Sequence, residues 1–117
     1  MTSEPRDAAN AVDGVLAALA EPTRRQLLDV LAEQDETTAT VLAGRLPVSR
    51  QAVVKHLAVL DAAGLVSSRR VGREVRYAVR PDALNATAQW MAALAADWDR
   101  RLAYIKHIAE AAERDTP

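Results

Sequence analysis

Eight basic side chains crowd into residues 45–80: Arg45, Arg50, Lys55, Arg69, Arg70, Arg73, Arg76 and Arg80. Only Asp61 and Glu74 oppose them, so this segment carries a formal charge of +6 and the remainder of the chain −7. The overall charge of −1 conceals that split. Cations gathered on one segment are the footprint of a phosphate-binding surface, whatever the total. Ser49, Gln51 and His56 lie among them and add hydrogen-bonding groups. A solvated charged face would give the same count, so the decision rests on where the elements place these side chains.

The elements follow from periodicity. The chain has 117 residues and half of them are apolar, which predicts one domain at 9–117 behind a disordered tail at 1–8. Val12, Val15, Leu16 and Leu19 recur at helical spacing. Pro22 breaks that run and suits the first turn of a second helix at about 22–34, with Leu27, Leu28 and Leu31 on one face. Thr37 or Thr38 can cap a third helix that carries Val41, Leu42 and Leu46 and stops near Pro47. Ser49 caps a fourth, about 49–63, which ends at Gly64. The period then changes from 3.6 to 2. Leu65–Arg70 and Glu74–Val79 read as the two strands of a hairpin at about 65–80, turning at Val71-Gly72-Arg73. A last helix spans about 81–113. Its stripe of Leu84, Ala88, Met91, Ala95, Trp98, Leu102, Ile105, Ala109 and Ala112 steps alternately by four and three, which is a heptad seam.

On a helical wheel of residues 49–63, Val53, Leu57 and Leu60 share the face that packs on the body. Gln51, Val54, Lys55 and Ala58 point away, and no acid precedes Asp61. An acid-free outer face with its polar groups in the first two turns is what a helix in a DNA major groove requires. The order helix, tight turn, helix, basic hairpin suits a helix-turn-helix with a phosphate-gripping hairpin beside it. The competing reading of the hairpin arginines is that they solubilise an exposed edge.

Three stretches carry a family resemblance: LAEPTRRQLLDVLAE at 19–33, VSRQAVVKHLAVLDAAGLV at 48–66 and VGREVRYAV at 71–79. Together they make the chain resemble the ArsR-type (arsenical-resistance-repressor) winged helix-turn-helix regulators. The resemblance implies a mainly α fold with a small β-hairpin. In it the fourth helix reads DNA, the hairpin is a wing, and a long C-terminal helix makes a homodimer. It makes Ser49, Arg50, Gln51, Val54, Lys55 and His56 candidate groove and phosphate contacts, and Arg69, Arg70, Arg73 and Arg76 candidate wing contacts. Arg24 and Arg25 open a helix after Pro22 and read either as phosphate contacts or as a solvated terminus. His56 also reads as a helix-packing histidine.

Metal chemistry finds little support. Metal-sensing members of the family carry cysteines in an ELCVCDL-like stretch, where this chain has ETTATVL at 36–42 and no cysteine anywhere. His107 and Glu110 share a helix face, and Asp97 and Asp99 lie on the same helix. The Asp-x-Asp pair departs from the family's Asp-x-His, and its spacing to His107 is about a turn short, so no metal is expected. No glycine-rich phosphate loop, no H-E-x-x-H and no nucleophile–base pair is present, so no enzyme is expected.

The sequence therefore predicts a cytoplasmic, homodimeric repressor that binds double-stranded DNA, with no cofactor. The absence of any apolar run of about 18 residues excludes a helical membrane span. The expected dimer surface is Leu84, Met91, Trp98, Leu102 and Ile105 together with the first helix. Two other readings remain. One is a winged-helix module that docks an acidic protein. The other is a DNA-binding sensor whose C-terminal helices hold a small organic effector against Trp90, Trp98 and Tyr104.

Overall fold

The computed structural model describes residues 5–115, with side chains from Asn10 onward. Among the described residues five helices and three strands follow one another: α1 (Pro5–Leu19), α2 (Pro22–Ala32), β1 (Thr37–Thr38), α3 (Ala39–Arg45), α4 (Arg50–Ala62), β2 (Val66–Val71), β3 (Glu74–Val79) and α5 (Pro81–Arg114). Of the tail expected at 1–8, residues 1–4 lie outside the described residues and 5–8 belong to α1. The chain divides into two compact units, one ending at Thr87 and one beginning at Ala88.

The first unit is built on an apolar cluster of Val15, Leu27, Leu31, Leu42, Val53, Leu57, Leu60, Leu65 and Val66, all buried. Every helix of this unit up to α4 turns leucine or valine into it, at roughly 1.5–3 kcal/mol for each large side chain removed from water. The caps set where the helices begin. Glu21 accepts the Thr23 amide at 3.1 Å and Pro22 fills the first turn of α2. Thr38 Oγ1 accepts from Val41 N at 3.3 Å at the start of α3. Ser49 Oγ accepts from Ala52 N at 3.1 Å at the start of α4.

Gly64 ends α4 in the left-handed conformation, φ +79°. The amide of Gly64 donates to Asp61 O and that of Leu65 to Leu60 O, both at 2.9 Å. This is a Schellman closure, and its usual hydrophobic contact is supplied by Leu60 and Leu65, both fully buried. The chain leaves the closure already running as β2. Two residues, Gly72 and Arg73, then join β2 to β3. Gly72 has φ +63° and Arg73 has a negative φ, the signs of a type II′ hairpin turn.

The sheet has three strands where two were expected. β1 pairs antiparallel with β3, Thr37 opposite Tyr77 and Thr38 opposite Arg76, giving the order β1-β3-β2. A third strand relieves the marginal stability of an isolated hairpin. Alternation assigns the faces. Val66, Tyr77 and Val79 look toward the helical body, and Ser67, Arg69, Glu74 and Arg76 look away from it.

The residues from Ala88 onward continue α5 as a helix whose apolar stripe stays exposed. Met91, Trp98, Leu102 and Ile105 each keep more than half of their surface in water. Asp97 pairs with Arg100 at 3.4 Å and Arg101 at 3.0 Å, and Arg101 lies over the Trp98 ring, 5.4 Å from its centroid. No helix among the described residues is long and apolar enough to cross a membrane.

Gly64→Ala should cost about 1–2 kcal/mol, the price of a left-handed L-residue. The space itself is available, since a Cβ would meet Ala83 Cβ at an ordinary 3.6 Å. Urea unfolding measures the change. A loss inside the ±0.5 kcal/mol typical of surface substitutions would mean that the closure does not constrain the fold.

Candidate nucleic-acid interface

α4 presents its inner residues Val53, Leu57 and Leu60 to the core, fully buried, so its opposite side is exposed. Gln51, Val54 and Lys55 lie on that exposed side. The other sequence-predicted residues of α4 sit on its flanks. Arg50 Nε donates to Thr40 Oγ1 at 3.1 Å, which ties the first turn of α4 to α3. Ser49 is engaged in the cap. His56 is half-buried, and its Nδ1 lies 3.4 Å from Arg24 Nη1. This contact joins α4 to α2, as the helix-packing reading of His56 has it.

Arg24 and Arg25 act on the protein itself. Arg24 donates from Nε to Ala18 O at 2.6 Å and from Nη2 to Ala17 O at 3.3 Å. Arg25 Nη1 donates to Leu19 O at 2.5 Å. These carbonyls end α1, which has no basic residue in its own last turn. The guanidiniums of α2 thus satisfy the negative end of a neighbouring helix. The sequence offers a phosphate contact or a solvated terminus for these two side chains; the structure adds this bonding to the end of α1.

The four wing arginines, alike in the sequence, divide into two pairs. Arg69 and Arg76 are direct cross-strand partners on the sheet face that looks away from the body. Both meet Glu36, in the segment leading into β1. Arg69 grips it with Nε, 2.8 Å from Oε2, and with Nη2 on Oε1. Arg76 reaches the same carboxylate at 3.5 Å and Glu74 at 3.3 Å. Among the described residues Arg70 and Arg73 have no ion-pair partner. Arg73 stands at the tip and faces α4 across an open groove of about 600 Å³, lined by Thr38, Thr40, Val41, Arg50, Val54, Glu74 and Tyr77 among others. Glu36 escaped the sequence reading. The signal was available: a two-residue turn after Val71 sets Arg69 opposite Arg76, and like charges so placed need a counter-ion.

The carboxyl of Glu36 is held below its ordinary value of 4.5, first by the Arg69 hydrogen bond and then by the charges of Arg69 and Arg76, with partial burial opposing. The same bond pushes the Arg69 pKa up. Glu21 is lowered as well, chiefly by the hydrogen bond from the Thr23 backbone amide. Among the described residues no three His, Cys, Asp or Glu side chains gather as a metal site, and Asp97 is engaged with its two arginines.

A helix-turn-helix domain model matches residues 19–69, which hold α2, α3, α4 and the start of the wing. The ArsR-like transcriptional regulator from Rhodococcus sp. RHA1 is 48% identical, with a TM-score of 0.78 over 86% of this chain and 94% of that one. The chain belongs to the ArsR family of transcriptional regulators. The HTH-type transcriptional regulator YuzN of Bacillus subtilis is 45% identical over 67 residues, 52% of this chain and 73% of its own. The transcriptional repressor SdpR of the same organism is 30% identical over 68% of this chain and 88% of its own. The winged helix-turn-helix and its long C-terminal helix are thus those of a DNA-binding transcription regulator, in the branch without the cysteine site.

The depressed carboxyls give a pH dependence with a definite sign. A group whose pKa falls on folding contributes stability above its unfolded value and loses it as pH drops through the folded one. The wild-type urea midpoint should therefore decline below about pH 4.5 more steeply than that of a Glu21→Gln/Glu36→Gln double variant. Parallel declines would remove both groups from the acid response.

Proposed function

We propose that the protein is a homodimeric repressor that reads an inverted-repeat operator with α4 and grips the flanking phosphates with the wing tip. The observation that carries this reading is the exposed outer side of α4, where Gln51, Val54 and Lys55 stand with no acid before Asp61 and where Val54 lines a groove that also holds Arg50, Arg73 and Glu74. Gln51 offers paired donor and acceptor atoms to a base edge, and Val54 an apolar contact. Lys55, Arg50, Arg70 and Arg73 supply phosphate contacts, which position the protein without reading sequence. SdpR, among the relatives, carries the name of repressor, which supports that sign of regulation.

The homodimer is supported by the exposed stripe on α5. Leu84, Met91, Trp98, Leu102 and Ile105 run along it at heptad spacing and stay 40–58% exposed. A stripe of this length in a small soluble protein calls for a covering partner, and a second α5 matches its period. A two-fold dimer sets its recognition helices about one DNA turn apart, roughly 34 Å, so the operator would be an inverted repeat.

Fluorescence anisotropy against DNA from upstream of the protein's own gene, beside a scrambled duplex and across a salt series, tests the reading. Tight binding to the first duplex only, weakening steeply with salt, is expected. No binding even at low salt would move the assignment to a protein-interaction module. Gln51→Ala should lose about 1–3 kcal/mol and relax sequence preference, whereas Arg73→Ala should reduce the salt slope by about 1 on every duplex. Equal losses on operator and random DNA for Gln51→Ala would refute base reading. Trp98→Asp should give monomers by light scattering, and an intact dimer would exclude the α5 stripe.

A further inference from the structure

We propose that Glu36 is a built-in phosphate surrogate that keeps Arg69 and Arg76 out of DNA contact and so limits the regulator's affinity for non-operator sequence. The inference rests on the DNA-binding reading above and concerns its regulation.

Arg69 and Arg76 lie directly opposite each other on one sheet face. Two like charges in that position repel. Glu36 resolves the repulsion by taking both. Its two oxygens meet the Arg69 Nε and Nη2 pair, the planar two-bond geometry that guanidinium also makes with phosphate. Arg76 completes the site at 3.5 Å. The Glu36 side chain is about four-fifths covered while that of Arg69 is largely open, so the acid is fixed and the cation is the accessible member. A DNA phosphate can recruit Arg69 only by displacing a carboxylate already seated in the same geometry. The tip differs: Arg70 and Arg73 have no ion-pair partner among the described residues, so phosphate meets no competitor there.

The division has a consequence for specificity. Phosphate contacts strengthen operator and random DNA alike and carry no sequence information. Two more unopposed arginines per wing would raise non-specific binding without improving base reading. Holding them on Glu36 leaves discrimination to α4.

The test is Glu36→Gln, measured on the full-length protein by anisotropy with operator and with random duplex. Each arginine released onto phosphate steepens the slope of log K against log salt by about 0.9, or about 3.5-fold in affinity over a fourfold change in salt. Arg69 is the arginine set free, since Arg76 keeps Glu74 at 3.3 Å, so the slope should steepen by about 0.9 per protomer, with tighter binding to random DNA and a smaller operator preference. Asp29→Asn, which removes the same charge from an exposed position on α2, should leave the slope unchanged. Should Glu36→Gln disturb the wing by circular dichroism, Arg69→Gln decides the matter. It should leave the wild-type slope unaltered, because Arg69 is already neutralised, while Arg73→Gln flattens it. A folded Glu36→Gln with the wild-type slope, or an Arg69→Gln as flat as Arg73→Gln, overturns the proposal. A wild-type protein that binds no duplex overturns the DNA-binding reading itself, and the surrogate with it.

Discussion

The closure of α4 at Gly64 is the constraint on which the interface depends. A helix that must bury Val53, Leu57 and Leu60 has one permitted rotation, and its last turn then fixes where the chain can go. Leu60 O accepts the Leu65 amide, so the first residue after the turn is pinned beside the last buried residue of the helix. Arg80 N donates back to Leu65 O at 2.9 Å, which brings the end of β3 to the same point. Both ends of the hairpin are anchored to the foot of α4. The orientation of the wing, and the groove between Arg73 and Arg50, follow from backbone hydrogen bonds and not from the arginines.

With the hairpin anchored, pleat alternation sorts its charges. One register pairs Val66 with Val79 and therefore Arg69 with Arg76 on the far face. Burial of Val66 leaves no freedom to slip by one residue, since a slip would turn Val66 and Val79 to solvent. The repulsion between the two arginines is thus a by-product of the core. β1 answers it: the pairing of Thr37 with Tyr77 carries Glu36 to the same face. The third strand supplies hydrogen bonds to the sheet edge and a carboxylate to the arginines in one step.

Much of this is legible in the sequence. The α4 faces, the Ser49 cap, the Gly64 ending and the Gly72 turn each depend on a few consecutive residues, and local chemistry decides them. β1 was not legible, because two threonines show no period and Thr38 also serves as the cap of α3. The role of Arg24 and Arg25 was hidden for another reason. Both reach the last carbonyls of α1, and that contact exists only once α1 and α2 have packed. Arg69 and Arg70 are neighbours in sequence with the same side chain, yet the pleat sends them to opposite faces. Composition counts both as cations, and only register separates the one paired with Glu36 from the one without an ion-pair partner among the described residues.

The polar residues of α5 argue that its apolar stripe is a surface in its own right. Asp97 draws Arg100 and Arg101 to one flank, and Arg101 covers part of the Trp98 ring. Such i, i+3 and i, i+4 pairs are worth only a few tenths of a kcal/mol each. They cannot offset the exposure of Met91, Trp98, Leu102 and Ile105, each of which would contribute about 1.5–3 kcal/mol on burial. The helix beyond Thr87 is therefore stabilised poorly by its own contacts and strongly by any partner with the same heptad period. A second copy always carries that period, and a two-fold arrangement repeats each contact twice. In the proposed dimer the same two-fold would give DNA two α4 helices and double the phosphate contacts, which would make restraint of the wing charges more useful. On these proposals the apolar stripe and the Glu36 pair would act on one quantity from opposite directions: the stripe would multiply the cationic surface offered to DNA, and the carboxylate would limit how much of it each wing can use.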